Sequence, residues 1–184
     1  MKKRILMSLL SFILVLGFVS SGADAASKVK TVKTSVTDSM SEKKILKKAP
    51  SVKKGTTLVK SSKSKTVYVK FTAPKTKTYT FTFTPDFSDK QTDTYVLGYF
   101  QICSVTFNRL HTLNLKTSGG KYIALNCANE KYAKLTKDST PKSQRYLTSR
   151  STKIKLKKGE SVYISRYFEK NAEAEAVNFE LNIK

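Results

Sequence analysis

The feature that most constrains the fold is a strict alternation of aromatic and small polar residues between positions 77 and 84. Tyr79, Phe81 and Phe83 alternate there with four threonines. Successive side chains of a β-strand point to opposite faces, so the pattern predicts a strand with one buried aromatic face and one polar face. No long helical period appears after residue 56. The chain is therefore expected to build its core from β-sheets.

The same period of two recurs along the rest of the chain. Val67, Val69 and Phe71 share one face of a strand that leads into a turn at residues 73–76. Further strands are predicted in 95–107, 113–115, 122–126, 154–156, 162–168 and 177–184, with a hairpin turn at Gly119-Gly120. Eight or nine short strands in residues 56–184 predict an all-β, antiparallel β-sandwich or jelly roll.

The first 25 residues have the pattern of a secretory signal peptide. Three basic residues at 2–4 precede an apolar run at 5–19, and Ala23-Asp24-Ala25 suits a signal peptidase. The run is short for a membrane anchor, because a helix that crosses a bilayer needs about 20 residues. We expect cleavage after Ala25 and no transmembrane anchor. The protein is expected to be secreted, either into the medium or to the cell wall.

Residues 26–55 differ in composition from the rest of the chain. They hold nine lysines, two acidic residues and no aromatic residue. Ser39 and Glu42 have the spacing of a capping box, which would begin a short helix that ends before Pro50. Because the segment has few residues able to form a core, we predict a solvated basic linker ahead of the sandwich domain at 56–184.

The chain carries 35 Lys and Arg against 13 Asp and Glu, a formal charge of +22. Such a charge predicts association with anionic surfaces. Lys153, Lys155 and Lys157 would form a row on one strand face, spaced about 6.6 Å, which suits repeating phosphates or carboxylates. We expect an anionic cell-wall polymer or another extracellular polyanion as the partner. The candidate contacts are Lys43, Lys44, Lys47, Lys48, Lys153, Lys155, Lys157 and Lys158.

The sequence offers little for catalysis. His111 is the only histidine, and no nucleophile-elbow pattern surrounds any serine. Glu173 and Glu175 look like a solvated loop or one helical turn rather than a glycosidase pair. Phosphate-loop, dinucleotide and zinc motifs are absent. We therefore predict a non-enzymatic protein without a cofactor.

One cluster of acidic residues is a candidate for a calcium site. Asp86, Asp89 and Asp93 flank the loop after the phenylalanine-rich strand. Three carboxylates in one loop could bind calcium, but Lys90 lies among them and the spacing matches no EF-hand. Turn formation and solubility are the expected roles, so we predict no metal site.

Three tyrosines suggest an alternative function. Tyr68, Tyr163 and Tyr167 fall on the predicted polar faces of their strands. Exposed tyrosine rings can stack on sugars, so the alternative is a carbohydrate-binding module that binds a polysaccharide. The absence of tryptophan counts against it.

Cys103 and Cys127 are the only cysteines, and export permits a disulfide. A bridge is reasonable if their strands are neighbours. A third strand between them would place the Cα atoms beyond the limit of about 7 Å. The sequence leaves both arrangements open.

Three segments resemble motifs of bacterial pre-peptidase C-terminal domains. Residues 67–81 resemble the opening hairpin of that family, 120–126 its middle strand, and 154–164 its hairpin near the end. The resemblance covers 56–184 and implies a non-catalytic β-sandwich module of a secreted protein. Related sandwiches bind calcium, collagen or polysaccharide. Cys127-Ala128-Asn129 replaces the acidic pair of the family, so the resemblance does not imply that this chain binds calcium.

Overall fold

The structure is a computed structural model that describes residues 29–61, 66–86, 97–117, 120–128, 133–134, 147–169 and 178–184. The predicted signal peptide lies outside these residues. The predictions made for Asp89, Asp93, Glu173 and Glu175 also concern residues outside this set.

Thirteen strands and one helix lie in the described part of the chain, in two large sheets and one small ribbon. The first sheet has the strand order β1-β3-β13-β5-β11, and the second has the order β10-β6-β12-β4-β2 with β7 also beside β6. The ribbon consists of β8 and β9. The strands are β1 (Lys30–Thr34), β2 (Ser51–Val52), β3 (Gly55–Ser61), β4 (Val67–Thr72), β5 (Lys77–Asp86), β6 (Leu97–Thr106), β7 (Arg109–Thr112), β8 (Leu115–Thr117), β9 (Gly120–Tyr122), β10 (Leu125–Ala128), β11 (Arg150–Leu156), β12 (Ser161–Glu169) and β13 (Asn178–Ile183), and the helix is α1 (Glu42–Lys48).

The predicted all-β sandwich is confirmed, and it has more strands than the eight or nine expected. Two of the additional strands, β1 and β2, come from the segment ahead of residue 56. They form the two parallel pairs, β1 with β3 and β2 with β4, in an otherwise antiparallel arrangement. The returning strand predicted at 122–126 is divided, because β9 ends in the ribbon and β10 begins in the second sheet.

The aromatic face of β5 forms the centre of the core. Tyr79, Phe81 and Phe83 are fully buried. Phe83 stacks on Phe100 of the second sheet with ring centroids 4.6 Å apart. Phe81 contacts Phe71, which lies in β4 of the second sheet, edge-on with centroids 5.6 Å apart. Aromatic pairs of this kind contribute about 1 kcal/mol beyond the area they bury. The alternation that predicts the strand therefore also predicts which side chains join the two sheets.

Residues 29–55 belong to the sandwich, which corrects the solvated linker predicted over 26–55. β1 forms one edge of the first sheet and β2 one edge of the second. Between them, the carbonyl of Val36 accepts the N–H of Tyr68 in β4 at 3.0 Å. The segment thus supplies backbone partners to an edge of each sheet, which is where unpaired backbone groups would otherwise meet water.

Helix α1 covers the outer face of the second sheet. Ile45 and Ala49 of this region are buried together with Val36, and they pack against Cys103 of β6 and Tyr163 of β12. Three apolar side chains are enough, because the sheet face supplies the other half of the contact. The composition of the segment made it look like a linker, but four of its apolar residues, Val36, Ile45, Ala49 and Val52, are buried.

Replacing Ile45 with alanine is expected to lower the free energy of unfolding by about 2–4 kcal/mol, because the change leaves a cavity under α1. Urea unfolding followed by circular dichroism measures the change. Lys44→Ala, on the exposed side of the same helix, should change it by no more than about 0.5 kcal/mol. Equal effects of the two substitutions would contradict the packing of α1 on the sheet.

The hairpin between β6 and β7 has an unusual tip. Its two turn residues, Phe107 and Asn108, have φ angles of 50° and 60°. A two-residue type I′ turn requires this left-handed conformation at both positions. Asparagine adopts it readily, but a bulky aromatic residue does so at a cost. Because Phe107 is also 95% exposed, no burial offsets that cost.

Phe107→Asn is expected to raise the free energy of unfolding by about 1 kcal/mol, because asparagine tolerates the left-handed conformation. Urea unfolding measures the change. Asn108→Ala, the reverse type of change at the neighbouring position, should lower the stability. A loss of stability in Phe107→Asn would mean that the phenyl ring stabilises the folded chain.

Candidate polyanion-binding site

Two turns at one end of the sandwich are joined by backbone hydrogen bonds. One turn connects β4 to β5 and the other connects β11 to β12. The N–H of Ala73 donates to the carbonyl of Glu160, and the N–H of Gly159 donates to the carbonyl of Ala73, both at 2.8 Å. The N–H of Lys158 donates to Oγ1 of Thr76 at 2.9 Å. These bonds hold the backbones of the two turns next to each other.

Lysines from three segments of the chain converge at this end. We call them the basic end; all are exposed, and they are Lys54, Lys75, Lys77, Lys157 and Lys158. The pKa of Lys77 is lowered, first by desolvation, then by the charge of Lys54 and a hydrogen bond with it, and by the charge of Lys75. After desolvation, the positive charges of Lys54 and Lys75 are therefore the neighbouring charges that act on Lys77.

The two turns contain little negative charge. Glu160 is the only acidic residue in 73–76 and 157–160. Its Oε2 accepts the backbone N–H of Lys157 at 2.8 Å, so the carboxylate is used within its own turn. The arrangement leaves an excess of positive charge that can attract an anion.

The predicted lysine row leads into the basic end. Lys153 and Lys155 are exposed on β11, while Thr152 and Leu156 on the opposite face of that strand are buried. β11 is an edge strand of the first sheet. The row therefore runs along one side of the sandwich and continues into Lys157. Its role in binding stays a prediction.

The other predicted lysines lie on a different surface. Lys43, Lys44, Lys47 and Lys48 are all exposed on α1. Because α1 packs on the outer face of the second sheet, the structure does not join them to the row on β11. The lysines predicted as contacts thus form two separable groups.

The sequence prediction did not place Lys54, Lys75 and Lys77 among the contacts. Lys54 fell within the supposed linker, and the other two lie beside the β4–β5 turn. The available signal was that each of them lies close to the end of a strand. Which strand ends meet at one end of a sandwich depends on topology, and composition does not reveal it.

One of the three tyrosines predicted to stack on sugars, Tyr163, is buried, so the prediction is wrong for it. Tyr163 is 4% exposed, and its hydroxyl donates to the carbonyl of Leu46 at 2.9 Å. Tyr68 packs against the same cluster, and burial is the main cause that raises its pKa to about 12. Residues of the supposed linker bury Tyr163 and leave Tyr68 partly buried. Tyr167 is 38% exposed and stacks on Tyr99, with centroids 6.0 Å apart.

Cys103 and Cys127 are both free and buried, which decides against the disulfide. Their strands are neighbours, but Cys127 pairs with Gly98, five residues along β6 from Cys103. Paired residues share a face, so Cys127 joins the core while Cys103 faces the α1 side. Burial raises the pKa of Cys127 to about 12 and also raises that of Cys103, so neither thiol ionises readily.

The remaining candidate for catalysis lies outside the two joined turns. His111 is exposed in β7, opposite Ser104 of β6. Across the residues that the structure describes, no group of three or more His, Cys, Asp or Glu side chains could hold a metal ion. No helix in that part of the chain is long and apolar enough to cross a bilayer.

Neither a family model nor a curated protein matches the sequence. The pre-peptidase C-terminal domain of a collagenase from Bacillus anthracis is a structural match at 9% identity and a TM-score of 0.36, covering 74% of this chain and 95% of that one. CorA of Methylomicrobium album BG8, a surface-associated copper-binding protein important in copper acquisition, matches at 5% identity and a TM-score of 0.40, covering 74% and 98%. The family that the sequence motifs resemble is therefore represented among the matches. At these values the likeness says nothing about ligand or activity.

Replacing Lys54 with glutamine should raise the pKa of Lys77, because it removes a positive charge that disfavours the protonated amine. NMR titration of the lysine side chains measures the change. Lys48→Gln removes the same charge from α1 and should leave the titration of Lys77 as it was. An unchanged Lys77 pKa in Lys54→Gln would contradict the convergence of these side chains.

Proposed function

We propose that this protein is a secreted, non-catalytic binding module whose basic end and β11 row bind anionic polymers of the cell envelope by electrostatic attraction. The observation that carries the proposal is the convergence of Lys54, Lys75 and Lys77, which acts on the pKa of Lys77. Secretion is supported by the predicted signal peptide. The lysines on α1 are assigned a smaller part, because they belong to the helix on the outer face of the second sheet and not to the two joined turns.

A polyanion would relieve the repulsion within the basic end. Like charges held close together destabilise one another, and an anionic group placed among them reverses that effect. The hydrogen bonds between the two turns hold their backbones together, so the lysines of both turns lie at one end of the sandwich before the polymer binds. The row formed by Lys153, Lys155 and Lys157 offers a repeat of about 6.6 Å for the rest of the polymer.

The type of basic residue favours a repeating polymer over a single small anion. All five residues of the basic end are lysines. An ammonium group is a strongly hydrated point charge, whereas arginine presents a fork that grips one phosphate or carboxylate in two places. Lysine clusters therefore suit diffuse contact with many anionic groups. The same residues provide no nucleophile paired with a base, which supports a binding role rather than catalysis.

Two quadruple variants that remove the same charge test where the polymer binds. The first replaces Lys54, Lys75, Lys77 and Lys158 with glutamine, and the second replaces Lys43, Lys44, Lys47 and Lys48. At low salt the first should bind polyphosphate and purified cell envelopes at least about tenfold more weakly than the unmodified protein, since each contact with an anionic surface contributes about 1 kcal/mol. The second should lose less than about threefold.

Raising the ionic strength in the same assay should weaken binding by the unmodified protein steeply. Equal losses in the two variants would mean that net charge alone governs binding. A larger loss of binding in the α1 variant would show that the polymer binds at the helix. Binding that is indifferent to salt would exclude the electrostatic mechanism.

A further inference from the structure

The tip of the β6–β7 hairpin leaves the sandwich at the basic end. Tyr163 of β12 lies opposite both Cys103 of β6 and Lys70 of β4. Because both strands run antiparallel to β12, the end of β6, the end of β4 and the start of β12 lie at one end of the second sheet. The turn that carries Lys75 follows the end of β4, and the turn that carries Lys158 precedes the start of β12. Phe107 therefore projects from the same end as those lysines.

Phe107 is unfavourable in two respects, its exposure and its backbone conformation. Its ring is 95% exposed, and its backbone has the left-handed conformation that phenylalanine disfavours. Neither property stabilises the folded chain. A residue that is strained and exposed without compensation inside the molecule points to a contact outside it.

Exposed cations lie on the segments next to the tip. Arg109, two residues after Phe107, is exposed. The N–H of Leu110 donates to the carboxylate of Glu42 at 3.3 Å, which places the first turn of α1 beside the hairpin. That turn carries Lys43 and is followed by Lys44, both exposed. An apolar tip with cations beside it suits a bilayer surface, because the apolar ring can enter the hydrocarbon boundary while the cations contact the anionic headgroups.

We propose that Phe107 inserts into the interfacial region of an anionic phospholipid bilayer, while Arg109 and the basic end contact the headgroups. The proposal rests in part on the proposed function, because it uses the same lysines. A bilayer fits better than a protein partner, since one convex ring flanked by the exposed residues Thr106 and Asn108 falls far short of the roughly 800 Å² per partner of a standard protein interface. One aromatic side chain can enter a membrane interface by itself.

Phe107→Trp provides a direct test, because the chain has no tryptophan of its own. The secreted form of this variant is mixed with phosphatidylcholine vesicles that contain or lack phosphatidylglycerol. With the anionic vesicles the emission should shift to the blue and be quenched by brominated acyl chains. Neutral vesicles should give neither change.

Leu147→Trp is the matched control. Leu147 is 44% exposed and bridges to Cys127, which lies opposite Gly98 near the start of β6, away from the tip. Its emission should not change with either vesicle. The proposal is overturned if the Phe107→Trp emission stays unchanged when the protein is bound to anionic vesicles. It is also overturned if Leu147→Trp changes to the same extent.

Phe107→Asn distinguishes membrane insertion of the ring from electrostatic attraction to anionic groups. Partition into anionic vesicles should fall about tenfold, because burial of one phenyl ring is lost, while polyphosphate binding stays the same. Equal vesicle partition in this variant and the unmodified protein would exclude insertion. If the unmodified protein binds polyphosphate but no vesicles, insertion is wrong and the proposed function stands. If it binds vesicles only, the polymer function is wrong.

Discussion

Most of the organisation follows from one constraint, which is that the second sheet is covered on its inner face and also on part of its outer face. Its inner face meets the aromatic side chains of β5, and a large part of its outer face lies under α1 and Val36. An antiparallel sheet ordinarily leaves its outer face to water. The cover places Tyr163 and Cys103 inside the molecule. The charged side of α1 faces outward, and the ends of the strands remain available for charged ligands.

The fold was largely predictable because strand alternation is a local property of the sequence. The burial of Tyr79, Phe81 and Phe83 could be predicted from spacing alone. The packing of Ile45 could not, because its partner is a sheet built from residues far along the chain. The sequence left the disulfide open for a related reason, because the register that places Cys127 opposite Gly98 has no local signal.

The candidate site also has one part that local sequence predicts and one part that depends on topology. The row of Lys153, Lys155 and Lys157 follows from strand parity, whereas the meeting of Lys54 with Lys77 depends on the strand order β3-β13-β5. Two unfavourable features, the mutual repulsion of lysines and the strained, exposed Phe107, lie at one end of the sandwich. Concentration of such features at one place is expected of a binding surface, where the ligand removes the penalty.

The central claim is that the basic end, rather than the helix, contacts the polyanion. Lysine-reactive labelling read by mass spectrometry, with and without polyphosphate, tests it most directly because it reports each side chain separately. We predict protection of Lys54, Lys75, Lys77, Lys157 and Lys158, with unchanged labelling of the lysines on α1. Protection of Lys43, Lys44, Lys47 and Lys48 with no change at the basic end would contradict the claim.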